Sequence, residues 1–238
     1  MTRYRIGAAA AILIGTIALS GTLGAQEPPL TWDGLVAVKA TRMDVAYLMP
    51  GADFRPYTKV MFDPTEVALK KNWLRDYNMS SMSSSRRITD ADVEKAFATI
   101  RTKFGDVFAK TFSGAGYQVV SAPGPDVLRV RTGVINLSVS APDNMSAGRS
   151  RTYAREAGEA TLVIEVRDSQ SGALLGRAVD RRLAGDTPML LRNSVTNRSD
   201  FSRLFADWAK ESVAGLNELK AISVVDFAEM PSKVGNKN

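Results

Sequence analysis

Residues 89–120 read TDADVEKAFATIRTKFGDVFAKTFSGAGYQVV, and this stretch decides the fold. Val93, Phe97, Ile100, Phe104, Val107, Phe108 and Phe112 recur at spacings of three and four, which lays one broad apolar stripe along a helix. Thr89 supplies an N-cap oxygen. Asp90, Asp92 and Glu94 fall in the first turn, where the positive end of the helix dipole favours carboxylates. Gly114 and Gly116 stop the helix, and Tyr117–Val120 resumes as a strand. A helix with one apolar stripe must bury it against a second layer, and the strand that follows implies that the layer is a sheet.

Working outward, the sheet is legible on both sides. Upstream, Tyr57–Phe62 reads as a strand ended by the Asp63-Pro64 turn; Glu66–Lys71 fits either more sheet or a short helix. Asn78–Arg87 reads as a polar loop. Downstream, Val127–Ser140 is a long strand whose apolar phase slips near Gly133, which implies a bulge there. Ala141–Gly158 reads as a polar loop. Ala160, Leu162, Ile164 and Val166 then alternate with wetter positions. Asp168–Gly172 turns the chain into a returning strand, Ala173–Arg182. After the polar stretch Asp186–Arg198, Ser199 or Asp200 caps a last helix with Phe201, Leu204, Phe205, Trp208, Leu216 and Leu219 on one face. The expectation is a two-layer α+β fold: a mostly antiparallel sheet of about four to six strands with two long amphipathic helices on one face. Residues 57–220 form the single domain, 26–56 an irregular lead-in and 221–238 a tail.

The chain begins as an export signal does. Arg3 and Arg5 precede an uncharged run, Gly7–Leu19, and then the small residues Ser20, Gly21, Thr22, Gly24 and Ala25. That run is shorter than the about 20 residues a membrane span needs. Residues 1–25 are therefore expected to be a signal peptide, cut between Ala25 and Gln26, with Ala18-Leu19-Ser20 as a second candidate. Removal of Arg3 and Arg5 leaves a mild basic excess from a net charge of +6, so nucleic acid is not an expected partner.

Composition narrows the chemistry. Among 238 residues there is no Cys and no His. Disulfides, thiol nucleophiles and thiolate metal sites are excluded, as are the commonest general base and the commonest transition-metal ligand. G-x-S-x-G, P-loop, G-x-G-x-x-G and S-x-x-K motifs are also absent. Asp90-Ala91-Asp92-Val93-Glu94 resembles the start of a calcium loop, but it lacks the turn Gly and the distal Glu and sits where helix-start acids belong. No cofactor or metal is expected. Carboxylate neighbours such as Asp63 and Glu66 leave acid–base hydrolysis as an alternative.

Arginine clusters offer the candidate binding residues. Arg149, Arg151, Tyr153 and Arg155 lie in the loop before the Ala160 strand, and Arg181-Arg182 ends that strand's hairpin partner. Arg86-Arg87 precedes the first long helix. Guanidinium groups suit bidentate recognition of carboxylate or phosphate and stack on aromatic rings such as Tyr153. The competing reading is that these arginines pair with Glu156, Glu159 and Asp180 to hold the loop down.

The segments 52–54, 57–61, 63–67, 115–120, 148–153, 180–182 and 197–201 together resemble the bacterial domain of unknown function 3313. The resemblance runs from about Trp32 to Lys220 and implies an envelope protein without assigned activity; members are generally lipoproteins. It supplies no catalytic residue. In this chain Leu19-Ser20-Gly21-Thr22 looks like a lipobox with Thr22 where the lipidated Cys would stand, so the expectation is a periplasmic or secreted, non-lipidated protein. Function is expected to be a non-enzymatic binding or envelope-assembly module for an envelope protein or an anionic polymer. The alternative is a carboxylate-dependent hydrolase of an envelope polymer. Oligomeric state stays open.

Overall fold

The computed structural model describes residues 29–80, 87–140, 152–154, 156–185, 190–192 and 194–226, with backbone alone for 152–154, 190–192 and 194–195. The elements are β1 (Thr31–Trp32), β2 (Leu35–Val38), β3 (Val45–Leu48), β4 (Lys59–Phe62), β5 (Glu66–Leu69), α1 (Trp73–Ser80), α2 (Asp90–Gly114), β6 (Gln118–Val119), β7 (Val127–Val139), β8 (Thr152–Ala154), β9 (Gly158–Asp168), β10 (Leu174–Ala184), β11 (Leu190–Arg192) and α3 (Ser194–Ile222).

Nine strands form one sheet in the order β1-β2-β3-β10-β9-β7-β4-β6, with β5 also on β7; β8 and β11 make a separate pair. The fold is α+β as expected, but the sheet is larger and mixed rather than mostly antiparallel with four to six strands. The parallel pairs are β4 with β6, β4 with β7 and β5 with β7. The first follows from α2: the helix lies between β4–β5 and β6 in the chain and carries it back to the starting end, so β6 runs parallel to β4. The expected irregular lead-in, 26–56, instead contains three strands. β3 pairs with β10, Ala46 opposite Ala178. These strands are four residues or shorter and interrupted by Gly34, Pro50 and Gly51, which hides their periodicity.

The core lies between sheet and helices. Leu128, Val130 and Val134 of β7 and Leu162 and Ile164 of β9 join Phe104, Phe108 and Phe112 of α2 and Leu204, Phe205, Trp208 and Leu216 of α3 in one cluster. The α2 phenylalanines stack at 4.2 and 6.2 Å, and Phe104 meets Phe205 edge-on at 5.2 Å. Thr89 closes a capping box with Asp92: its hydroxyl accepts the Asp92 amide, and the Asp92 carboxylate accepts the Thr89 amide at 2.9 Å. Asp92 is thus a helix cap rather than part of a calcium loop. The last helix begins at Ser194, before the expected Ser199 or Asp200, and the tail expected from 221 still contributes buried Val225.

The bulge in β7 lies at Asn136 rather than Gly133. Between Ile135 and Ser138 the register against β9 gains one residue, and the same extra residue appears against β5. Asn136 absorbs it at φ 51°. The shift returns Leu137 to the buried face. The β9–β10 hairpin turns where expected. Asp168 accepts the amides of Gln170 and Ser171 at 3.1 and 2.7 Å, and Gly172 supplies φ 72°.

Candidate functional site

Of the arginine candidates, Arg149, Arg151 and Arg155 lie outside the described residues, as do Arg86, the proposed leader with Ala25 and Gln26, and Thr22. Tyr153 lies in β8, its backbone opposite Leu191 of β11. Arg181 and Arg182 are described. The Arg181 guanidinium makes a two-point bond to Glu159 at 2.6 and 2.7 Å, while Arg182 reaches Asp180 at 2.6 Å and the Arg42 carbonyl at 3.2 Å. Consecutive strand residues point to opposite faces, so the two guanidinium groups are not one clamp. The Arg181 pair ties β10 to β9; Arg182 and Asp180 lie on the same strand, and Arg182 reaches across to the Arg42 carbonyl ahead of β3.

The candidate carboxylates are similarly engaged. Asp63 takes Arg129 at 2.9 Å and Arg131 at 3.4 Å, and Arg131 spans onward to Glu165 at 3.7 Å. Glu165 also receives Arg167 at 2.7 Å and Arg177 at 2.6 Å. Burial opposes ionisation of Glu165, but the hydrogen bonds from Arg167 and Arg177 outweigh it and hold the carboxyl below its ordinary range. A general acid needs the opposite shift. Trp32 lies over Arg177 at 4.1 Å and meets Tyr47 edge-on at 5.7 Å, which closes this row at β1. Among the described residues, no three His, Cys, Asp or Glu side chains gather as a metal site, and no helix is long and apolar enough to cross a membrane.

An open cleft of about 420 Å³ is lined by Lys70, Lys71, Trp73, Asp76, Tyr77, Ser80 and Ser138–Ser140. Its walls come from a strand-to-helix turn. The Lys70 amide donates to Leu137 O at 2.9 Å and extends β5 by one residue along β7. Asn72, at φ 64°, then swings the chain into α1. The Trp73 and Asp76 amides close the first turn on Lys70 O and Asn72 O at 3.0 and 2.9 Å. Trp73 and Tyr77, four apart on the helix, lie with parallel rings 5.6 Å apart. Lys70 and Lys71 are exposed and enter no ion pair with a described acid, whereas Asp76 is paired with Arg75 at 2.8 Å.

None of the eight α1 residues is buried. A helix that short and that exposed has little stability of its own; its ends are fixed instead. Lys70 anchors the start. Near the end, Asn78 clasps Ile88 with two hydrogen bonds of 2.8 Å, Nδ2 to Ile88 O and Ile88 N to Oδ1. Sequence reasoning passed over these residues because it left 66–71 undecided and read 78–87 as loop. The available signal was Trp73 and Tyr77 at helical spacing, one residue after two lysines.

Fold and cleft define an α+β module with an aromatic, cation-flanked surface site. The chain belongs to the family described as Protein of unknown function (DUF3313), whose model matches residues 30–212. Among solved structures, a PelC dodecamer from Paraburkholderia phytofirmans is similar over 70% of this chain and 95% of that chain, at 12% identity and TM-score 0.34. Protein XCC0632 from Xanthomonas campestris is similar over 72% and 88%, at 12% identity and TM-score 0.34. A minor lipoprotein from Acinetobacter baumannii is similar over 68% and 94%, at 8% identity and TM-score 0.31. No curated protein matches the chain.

Proposed function

We propose that this protein is an exported, non-enzymatic binding module of the bacterial envelope that captures an anionic partner. The observation that supports it most directly is the open cleft, where Lys70 and Lys71, in no ion pair with a described acid, stand beside the stacked Trp73 and Tyr77. Positive charge at an accessible concave surface raises the local concentration of anions. In this reading Arg149, Arg151, Tyr153 and Arg155 add bidentate donors and an aromatic face for the same partner. Residues 1–25 are the export leader, removed before Gln26. Thr22 has no thiol to lipidate, so the mature protein is released rather than anchored.

The test is cosedimentation of the purified mature protein with isolated cell envelopes at stepped salt. Binding at low salt that weakens as salt rises is expected, with weaker binding by the triple Arg149, Arg151 and Arg155 to Ala variant at an unchanged thermal midpoint. No binding at low salt overturns the proposal. A triple variant that unfolds shows that these arginines are structural and removes them from the reading. Mass spectrometry of periplasmic material should find Gln26 as the N-terminus.

A further inference from the structure

We infer that the cleft beside α1 is a subsite for an acidic polysaccharide, with a sugar ring against Trp73 and Tyr77 and its carboxylates against Lys70 and Lys71. The inference rests on the anionic-partner reading above and names the class of partner. The lining separates a glycan from the other polyanions. A bare anion needs only the ammonium groups, and a lipid or apolar peptide needs a broad greasy wall. Among the described residues the apolar lining is the two rings and Val139, and the rest is Lys70, Lys71, Asp76, Ser80, Ser138 and Ser140. A pyranose has the matching pattern: a patch of C–H on one face and a rim of hydroxyls. Aromatic rings take the first, and serine hydroxyls, which both donate and accept, take the second.

The charge balance agrees. Among the described residues of the lining, Asp76 is the one acid and is paired with Arg75 at 2.8 Å; the Lys70 charge also acts on Glu159 of β9, and Lys71 leaves the cleft with a positive excess. Lysine presents a rotatable point charge, which tolerates the variable spacing of carboxylates along a polymer better than a rigid fork does. The helix itself is the independent observation. α1 buries none of its residues, yet the Lys70 register and the Asn78 clasp hold it in place with its aromatic pair at the cleft. A short helix outside the core cluster and fixed at both ends holds its half-buried Trp73 and Tyr77 in one place at the cleft.

Calorimetric titration of the mature protein with four probes tests this: tetragalacturonate, neutral maltotetraose, polyglutamate and inorganic phosphate. Tetragalacturonate is expected to bind, maltotetraose and phosphate to bind far more weakly, and polyglutamate to fall between. Trp73→Ala should weaken tetragalacturonate on the order of tenfold, the loss expected for a stacked ring, with no change in thermal midpoint. Trp73→Phe should restore part of the affinity. Lys70→Gln with Lys71→Gln should weaken tetragalacturonate and polyglutamate alike and flatten the salt dependence.

Equal binding of polyglutamate and tetragalacturonate, unaffected by Trp73→Ala, overturns the glycan assignment and leaves the anionic-partner reading standing. Failure of every probe while envelope cosedimentation persists also overturns the glycan assignment alone. Failure of both measurements overturns both. Should Trp73→Ala unfold, Trp73→Phe and the double lysine variant carry the same decision.

Discussion

The Asp180 carboxylate accepts the indole N–H of Trp208 at 2.7 Å, with Asp180 3% and Trp208 0% exposed. The same carboxylate takes the Asp44 amide at 3.1 Å and Arg182 at 2.6 Å. One side chain therefore joins β10, the approach to β3 and α3. Asp180→Ala strands a buried N–H donor and a partly buried cation together. It should cost about 2–3 kcal/mol, which lowers the thermal midpoint by roughly 5–10 °C for a chain of this size. Asp180→Asn keeps one acceptor oxygen for the Trp208 indole but loses the charge and sets an NH2 against the Asp44 amide, so it should recover only part of the loss. Calorimetric melts of the two variants check the ranking, and an unchanged midpoint for Asp180→Ala would refute the assignment.

Glu165 governs an acid-sensitive part of the stability. Its folded-state pKa lies below the unfolded one because the bonds from Arg167 and Arg177 outweigh burial. The stabilisation is complete above the unfolded value of about 4.3 and is lost as pH falls through the folded value. Glu159, held low by its hydrogen bond from Arg181, loses its contribution in the same direction. Glu165→Gln should cost about 2 kcal/mol at neutral pH, since Arg177, 10% exposed, loses its buried partner. The gap between the melts of wild type and variant should then close as pH is lowered. A gap that persists to pH 2 would place the cost in packing instead.

Glycine substitutions should divide by position. A Cβ on Gly158, at φ 156°, would fall on the Ser138 carbonyl, in backbone of the neighbouring strand that cannot rotate away. Gly158→Ala should cost about 3 kcal/mol. Gly105 in α2 and Gly215 in α3 have nothing within 4 Å of the same position. Their Ala variants should each gain about 0.5–1 kcal/mol from reduced backbone entropy in the unfolded chain, read as a midpoint rise of about 2–4 °C per kcal/mol. Destabilisation by Gly105→Ala would contradict the open space beside it.

The elements legible beforehand were those with long, unbroken periodicity. α2 declares itself through Thr89 and its phenylalanines, and the β9–β10 hairpin through alternation and the Asp168 turn. β1 and β2 were hidden because strands this short carry too few alternations to separate from loop. Parallel pairing of β4 with β6 was hidden because it depends on where α2 returns the chain, which no local pattern records. The bulge was readable as a phase slip in β7, but its position was not: Gly133 looked the natural site, and Asn136 takes the positive φ. At the site, arginine attracted attention by clustering, yet Arg181 and Arg182 are absorbed by Glu159 and Asp180, whose proximity is tertiary. Trp73 and Tyr77 become a pair only once α1 is known to be a helix.

The sheet order also carries a timetable. β2 and β3 are made early and pair with each other, Ala37 opposite Tyr47, but β3's other edge waits for β10, with Val45 opposite Val179. Until β10 has been synthesised and has folded back, the small β1-β2-β3 meander has an open edge and no neighbouring sheet to join. Strands this few and this short are marginal in water without a layer to pack on, and pairings between distant parts of a chain form slowly because the loop must close first. The first strands of this protein are therefore among the last to become secure. A chain cut short before β10 would carry them as a loose, adhesive edge.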